Sequence, residues 1–425
     1  MKRFCRERIV MRICILCEYF HPDNSGGTPT VLSQLARVLH DEYDVQIEVI
    51  TSRNWYRGKG KRLPAASNWD GIRIFRVNTP PSNQPRAVLR LAAGALFTIA
   101  ALARLWTRPR PDVVFVVTNP PTAPLAAMLY GRARRVPYVY LIHDLYPDLA
   151  VALDVLPRAH FLARCLGKLQ RGWLHAARRV VVIGRCMSDY LAANYHLPRG
   201  QIEVISNWSS PDEISRKSTG TPFRRRHNLS GPVILYAGNF GQHQNFDNIL
   251  DAAKQLRTRQ PRATFVFVGE GAKKEDMMRR VTAEKLENVR LLPFVPNDEF
   301  ADLLASADIS LVTLEPGAEG LGVPSKFYNI LASGRPTVAI VAADSEVARV
   351  IKEEDCGLAV EQNNAEALAG ALDQLLRDPE AIERFGFNAR RACERRFTLH
   401  HAARQWHQVF NEVVNKSVLH SSRRD

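Results

Sequence analysis

The sequence predicts an α/β fold in which two doubly wound, Rossmann-like domains face each other across a cleft and are followed by C-terminal helices. Its 425 residues suffice for two or three domains of ordinary size. Short runs rich in β-branched residues alternate with helical patterns in two separate series, as expected for parallel sheets covered on both faces. A polar stretch rich in turn-forming residues separates the two series.

The first series of strands forms the predicted N-terminal domain, residues 11–206. Several of its strand candidates are apolar without alternation, which is typical of buried parallel strands. The candidates lie at residues 12–17, 45–51, 71–77, 112–117, 137–142, 179–183 and 202–206. Helical segments fall between most of them, which favours right-handed βαβ units.

The second series forms the predicted C-terminal domain, residues 231–395, and follows a predicted linker at 207–230. Its strand candidates lie at residues 232–238, 263–269, 289–294, 308–314, 336–342 and 356–360. One helix is predicted from Ser325 to Ser333, because Gly334 and then Pro336 end it. Residues 396–425 are predicted to form a C-terminal helix and tail.

The charge balance favours anionic partners. Fifty-eight Lys and Arg against 43 Asp and Glu give a net charge of +15, so the surface attracts nucleic acid, anionic lipid or phosphorylated small molecules. No nucleic-acid-binding module is recognisable, and we predict no nucleic-acid partner. The seven cysteines are odd in number and lie mostly in apolar runs, which favours reduced thiols in a cytosolic protein over a disulfide framework.

No segment in this half of the sequence predicts a membrane span. The first ten residues lack the apolar stretch of a signal peptide, and Met11 is an alternative start to Met1. The longest apolar segment, residues 87–106, is interrupted by Arg90 and Arg104, so we reject a spanning helix. Two interpretations of this segment stay open: an amphipathic helix lying on an anionic membrane, or a buried crossover helix.

Ligands of doubly wound sheets bind beyond the carboxyl ends of the strands, so the loops that follow the strands are the candidate sites. After the first strand, Gly26 and Gly27 precede a helix, where they either admit a ligand to the helix amides or simply make a turn. No GxGxxG follows this strand and no GxxxxGK[ST] occurs, which argues against an NAD enzyme and a P-loop nucleotidase. Gly269-Glu270-Gly271 is a weak phosphate or base-edge candidate.

The pair His143-Asp144 follows the strand candidate at 137–142. A histidine beside a carboxylate at the end of a strand suits acid–base chemistry. A loop pair that caps the following turn is the equally open alternative.

The segment 314–341 gives the strongest indication of a ligand. A glycine-rich loop containing Glu319 leads into the helix that starts near Ser325, with Lys326 in its first turn. A cation at this end opposes the helix dipole, and it is tolerated best when an anion lies between the lysine and the helix amides. A diphosphate would serve, whereas the alternative is a solvated surface lysine.

These motifs, in this order, resemble the retaining glycosyltransferases of family 4, which have the GT-B architecture. The resemblance rests on HPDNSGG, HDLYPD, SNW, YAGNFG, VGEG and EGLGVPSKFYNILASGRP, and it spans nearly the whole chain. More narrowly, the chain is similar to the bacterial subgroup that builds O-antigen and capsular polysaccharides, which includes N-acetylfucosamine-type transferases.

The resemblance implies roles for residues on both sides of the cleft. In the N-terminal domain, on the acceptor side, Gly26 and Gly27 would lie near the donor phosphates. His143 or Asp144 would contact the donor sugar or the acceptor hydroxyl. From the C-terminal domain, Glu319 would lie near the donor sugar.

In the C-terminal domain the resemblance implies a nucleotide site. Gly238 and Asn239 would form the phosphate loop, and Ser325 and Lys326 would hold the diphosphate. The loop Gly269-Glu270-Gly271 would lie near the nucleoside. The chain departs from the family in three respects: Asn239 and the run at 242–244 replace the usual Arg and Lys of the phosphate loop, Asn329 replaces a second glutamate that bonds the ribose, and the spacing to Asn329 has two extra residues.

The resulting expectation is an enzyme that moves a hexose or N-acetylated deoxyhexose from a nucleoside diphosphate, UDP rather than GDP, to a lipid-diphosphate-linked saccharide. The resemblance implies retention of configuration. No DxD motif occurs, so no metal and no other cofactor are predicted. We expect a cytoplasmic protein, peripheral on the inner face of the plasma membrane. A nucleotide-sugar epimerase and a weakly active nucleotide-sugar-binding partner are the alternatives.

Overall fold

Two sheets with helices on both faces carry the fold, which confirms the predicted α/β class. The computed structural model describes residues 10–23, 27–56, 61–82, 86–211, 214, 221–242 and 244–421.

The first sheet has eight strands in the order β3-β4-β2-β1-β5-β6-β7-β8, all parallel except for β3. Its strands are β1 (Arg12–Leu16), β2 (Gln46–Ser52), β3 (Ala66–Trp69), β4 (Ile72–Val77), β5 (Val113–Val117), β6 (Tyr138–Ile142), β7 (Arg179–Val182) and β8 (Ile202–Val204). Its helices are α1 (Thr28–Tyr43), α2 (Ala87–Trp106), α3 (Ala123–Arg134), α4 (Asp148–Ala152), α5 (Phe161–Ala176) and α6 (Arg185–Tyr195). Fully buried strands such as β5 and β6 explain the uninterrupted apolar runs of the sequence.

Strand β3 was missed by the sequence analysis. It is a short edge strand that pairs antiparallel with β4 through a tight turn at Asp70 and Gly71, both with positive φ (46° and 97°). Its exposed and half-buried residues carry no apolar run. The Asp-Gly pair was the available indication, because this dipeptide favours two-residue hairpin turns.

The second sheet has six parallel strands in the order β11-β10-β9-β12-β13-β14. Its strands are β9 (Val233–Ala237), β10 (Thr264–Val268), β11 (Val289–Leu292), β12 (Ile309–Thr313), β13 (Thr337–Ile340) and β14 (Gly357–Val360). Its helices are α7 (Pro222–Arg226), α8 (Phe246–Arg259), α9 (Lys274–Ala283), α10 (Phe300–Ala305), α11 (Lys326–Ser333), α12 (Glu346–Glu354), α13 (Ala365–Leu376) and α14 (Pro379–Arg396). Helix α7 lies inside the segment predicted as a linker. As predicted, α11 ends at Gly334, which adopts the left-handed conformation (φ 63°).

The chain passes between the two sheets twice, and the two passages pair with each other. Ser209 and Thr398 form an isolated parallel bridge, and the Ser209 amide donates to the Phe397 carbonyl at 2.9 Å. The last helix, α15 (Leu399–Ser421), then returns to the first sheet. There Trp406 and Phe410 pack on Phe115 of β5, with ring centroids 4.7 and 5.4 Å away.

Helix α2 packs on the first sheet along one face, as the crossover interpretation predicts, and its place on a membrane stays a prediction. One face packs into the N-terminal core through buried residues that include Phe97 and Leu105. The other face exposes a row of large apolar side chains: Val88, Leu89, Leu96, Ile99 and Trp106. By length and composition, the segment Val88–Trp106 is apolar enough to cross a membrane, in spite of its two arginines. The stronger argument against a span is that one face of α2 packs on the protein core.

Candidate active site

The loop after β1 meets the loop after β6 at one end of the first sheet. Gly27 precedes α1 with φ 66°, and a side chain there would meet nothing within 4 Å, so the backbone borders open space. Helix α1 begins at Thr28, whose hydroxyl lies 3.4 Å from His143 Nδ1. Gly26, predicted beside Gly27, lies outside the described residues.

His143 is a neutral group in this site. Burial lowers the pKa of His143 to about 4, so the imidazole carries no charge at physiological pH. Its backbone amide lies 3.3 Å from Thr118 Oγ1.

Asp144 faces the second domain across the cleft. It forms an isolated antiparallel bridge with Gly322, and the next amide, of Leu145, donates to the Leu321 carbonyl at 2.8 Å. The side chain is exposed to the cleft, yet the surrounding protein removes part of its hydration and raises the pKa of Asp144 to about 6. Among the described residues the carboxylate accepts no hydrogen bond and does not cap α4, which disfavours the capping interpretation.

The segment that reaches Asp144, residues 315–323, is here called the cross-cleft loop. Its glycines allow the close approach to the N-terminal domain. A Cβ on Gly322 would lie 2.9 Å from Asp144 Oδ1, and one on Gly320 would lie 3.1 Å from Tyr190 Cβ. Gly320 also has φ 74°, which side chains rarely adopt. The loop therefore forms a seam between the two domains.

Lys326 is the first residue of α11, directly after the cross-cleft loop and the exposed Ser325. Its ammonium lies 3.7 Å from the ring centroid of Tyr236 and hydrogen-bonds the Tyr236 hydroxyl. Burial lowers the pKa of Lys326 to about 7. No carboxylate within the described ranges pairs with it, so an anionic ligand would be its natural counter-charge.

The predicted phosphate and nucleoside loops pack on each other beside this lysine. A Cβ on Gly238 would lie 3.0 Å from Lys326 Nζ, and one on Gly269 would lie 1.9 Å from the Gly238 carbonyl oxygen. The Phe240 amide donates to the Glu270 carbonyl at 2.8 Å. The structure therefore brings Gly238, Gly269 and Lys326 together, and their role in binding a donor stays a prediction.

The other predicted donor residues are more peripheral. Asn239 is exposed next to Gly238, and Gly271 is exposed at the start of the loop before α9. The Glu270 carboxylate pairs with Lys274 at 2.5 Å. Their roles stay predictions.

Glu319 and Asn329 are held by neighbours rather than by each other. Glu319 Oε2 accepts from the Gly317 amide at 2.7 Å, and its other oxygen accepts from the Gln362 side chain. Asn329 Oδ1 accepts from Ser209 Oγ at 2.8 Å, which ties α11 to the passage between the domains. This bond occupies one of the two oxygen lone pairs that would receive a ribose hydroxyl.

The sequence analysis missed two residues that shape the site. Tyr236 places the lysine ammonium, and its position two residues before Gly238 was the only sequence indication. Lys273 pairs with Glu315 of the cross-cleft loop at 2.5 Å. In the part of the chain that the structure describes, no three His, Cys, Asp or Glu side chains form a group that could hold a metal ion.

Two family models match the chain. The "Glycosyl transferase 4-like domain" matches residues 26–208, and "Glycosyl transferases group 1" matches residues 220–392.

Curated relatives carry glycosyltransferase names. A probable glycosyltransferase, WbjE, of Pseudomonas aeruginosa is 31% identical over 70% of this chain and 74% of its own length. A putative colanic acid biosynthesis glycosyl transferase, WcaI, of Escherichia coli is 28% identical over 72% of this chain and 77% of its own.

Solved structures share the fold over nearly the whole chain. The sucrose-phosphate synthase of Thermosynechococcus elongatus superposes with a TM-score of 0.74 at 18% identity, over 96% of this chain and 100% of that one. HepE of Anabaena, solved in complex with UDP, gives 0.69 at 16% identity, over 95% and 100%. At these identities the likeness concerns the arrangement of two facing Rossmann-like domains.

Proposed function

This chain belongs to the glycosyltransferases of family 4, which have the GT-B architecture, and we propose that it moves a hexose or N-acetylated deoxyhexose from a UDP-sugar to a lipid-diphosphate-linked saccharide. It is a glycosyltransferase of polysaccharide or glycolipid biosynthesis. Neither the epimerase nor the non-catalytic partner is favoured by any contact of the site. The proposal includes retention of configuration, independence of metal ions, and the O-antigen and capsule subgroup.

The observation that carries the donor site is the position of Lys326. Its ammonium lies beside Gly238, over Tyr236, at the first turn of α11, with no carboxylate of the described residues to neutralise it. The oxygens of a diphosphate bound there accept hydrogen bonds from the Lys326 ammonium and from the backbone amides at the start of α11. UDP is proposed as the nucleotide because HepE, with the same fold, was solved with UDP and with UDP-glucose.

The reaction then divides between the two sides of the cleft. The bond between the anomeric carbon and the diphosphate breaks, and the diphosphate leaves with the electron pair, which Lys326 and the helix amides stabilise. The acceptor oxygen bonds to the anomeric carbon on the face that the diphosphate leaves, so the configuration is retained, and the Asp144 carboxylate takes the proton of the acceptor hydroxyl. Neutral His143 and Glu319 orient the donor sugar.

Nucleotide binding tests the proposal directly. We expect UDP at 100 times its Kd to raise the free energy of unfolding by about 2.7 kcal/mol, because a ligand that binds only the folded state stabilises it. A thermal-shift panel of UDP, GDP, ADP and UMP measures this, with ADP and UMP as controls for base and diphosphate. Stabilisation by GDP instead of UDP would show that the donor base is guanine rather than uracil. No shift with any of the nucleoside diphosphates would contradict the proposed donor site.

The acceptor side of the proposal rests on the exposed face of α2. The exposed row on this helix combines Val88 (73% exposed) and Ile99 (65%) with the exposed Arg86 before the helix. Helix α3 contacts both α2 and α5, and α5 exposes Phe161 and Leu169, with Lys168 exposed next to Leu169. Apolar side chains next to basic ones suit the headgroup region of an anionic membrane. We therefore propose a cytoplasmic protein, peripheral on the inner face of the plasma membrane.

Membrane binding should disappear when this face is charged. We expect the wild type to float with liposomes containing phosphatidylglycerol at low salt, and the double variant V88D/I99D to stay unbound. The reason is that each apolar side chain of this size contributes about 1.5–3 kcal/mol when the membrane buries it. M278D is the matched control, since Met278 is a similarly exposed apolar residue (49%) on α9 of the second domain. Equal flotation of V88D/I99D and M278D would contradict the proposal that this surface binds the membrane. Equal flotation of the wild type with neutral and anionic liposomes would contradict its preference for anionic lipid.

A further inference from the structure

Asp148 accepts hydrogen bonds from two tyrosines of one helix. Its Oδ1 lies 2.8 Å from the Tyr190 hydroxyl, and its Oδ2 lies 2.5 Å from the Tyr195 hydroxyl. Both tyrosines belong to α6, whereas Asp148 begins α4. Burial, followed by the bond to Asp148, raises the pKa of each tyrosine, so both hydroxyls remain protonated donors. The carboxylate therefore has both oxygens engaged by charge-assisted bonds.

One of the two tyrosines also supports the cross-cleft loop. A Cβ on Gly320 would lie 3.1 Å from Tyr190 Cβ and 3.2 Å from the Cys186 carbonyl oxygen of the same helix. Tyr195, in contrast, contacts α5 of its own domain. The guanidinium of Arg171 lies 5.5 Å from the centroid of the Tyr195 ring, and it donates to the Tyr195 carbonyl at 3.3 Å. The two hydroxyls thus make the same kind of bond, and Tyr190 also lies against Gly320 of the loop.

These contacts close a ring that includes Asp144. Asp144 pairs with Gly322, and Gly320, two residues earlier in the same loop, lies against Tyr190. The Tyr190 hydroxyl donates to Asp148, which is four residues beyond Asp144. The ring joins the segment 143–148 and α6 of the first domain to a loop of the second. The contacts through Tyr190 and Asp148 add to the Asp144–Gly322 bridge and the Leu145–Leu321 hydrogen bond, so losing one of them loosens the position of the loop relative to Asp144.

We propose that Asp148 is a positioning residue that acts through Tyr190 to set the place of Asp144 relative to the cross-cleft loop, and hence to the donor sugar beside Glu319. This inference rests on the proposed function. Lys326 and Gly238 lie outside the ring, so its opening changes turnover rather than nucleotide binding. A misplacement of about 1 Å is enough to slow a reaction by as much as two orders of magnitude.

The test compares Y190F with Y195F, which each remove one hydroxyl from the same carboxylate, and adds D148N. Turnover, the Kd of UDP, and hydrogen exchange of the peptide 315–323 are measured on the full chain. For Y190F and D148N we expect kcat to fall about tenfold, the rate equivalent of one hydrogen bond to a charged group, with an unchanged Kd for UDP and faster exchange in the loop. For Y195F we expect kcat and loop exchange close to those of the wild type.

Equal effects of Y190F and Y195F on kcat and on loop exchange would overturn the inference while leaving the proposed function in place. A wild type that transfers no sugar would remove the proposed function instead, and the exchange measurement would still decide whether Tyr190 fixes the loop. If D148N does not fold, the pair of tyrosine variants gives the answer alone.

Discussion

Replacing Lys326 with methionine should lower kcat by about 100- to 1,000-fold, the usual loss when one fixed donor to a developing negative charge is removed. Methionine keeps most of the aliphatic stem, so the packing on Tyr236 survives and only the charge is lost. The effect should be large because the ammonium is partly buried and desolvated, where its attraction to the leaving diphosphate is strong.

The matched control is K254M. Lys254 lies on α8 of the same domain, is 59% exposed, and pairs with Glu284 at 3.0 Å. Steady-state kinetics with a UDP-sugar should show a loss for K326M and none for K254M. Two variants of equal activity would exclude Lys326 from the donor site.

The same lysine should make UDP binding depend on pH. Without ligand, burial lowers its pKa to about 7, so the ammonium loses its proton as the pH rises through this value. A bound diphosphate favours the charged form and raises this pKa, so binding takes up a proton and the affinity falls as the pH rises above 7. Calorimetry in two buffers of different ionisation enthalpy measures the uptake, which K326M should abolish.

Replacing Asp144 with asparagine should lower kcat by about 100-fold, within the range that a positioned acid–base group contributes. The raised pKa of about 6 gives a further expectation. The proposed step needs the carboxylate, so wild-type activity falls as the pH drops through 6. This acidic limb of the profile should be absent in D144N.

A matched control for this variant is D154N, since Asp154 is exposed and adopts the left-handed conformation (φ 54°), which asparagine tolerates well. Its activity and pH profile should equal those of the wild type. If D144N kept the acidic limb, another group would titrate there, and His143, with its pKa near 4, would not account for a limb at 6.

The strands of both sheets were predictable, except for β3, because most of them are short apolar runs rich in β-branched residues, which is typical of strands buried on both faces. The proposed donor site has a different kind of signal in the sequence: a lysine at the start of a helix opposes the helix dipole, and an anion bound there would remove the conflict. Tyr236 was not predictable, because the contact joins a strand and a helix ninety residues apart. The ring through Asp148 and Gly320 was hidden in the same way, since it depends on how the two domains meet.

The path of α15 has a consequence for how the chain is made. Phe115 enters the nascent chain long before Trp406 and Phe410, which cover it. Until α15 is synthesised, this part of the first sheet exposes apolar surface to water, a state that invites aggregation or capture by chaperones. The final packing of Phe115 therefore depends on a helix that is made after the strands of both sheets.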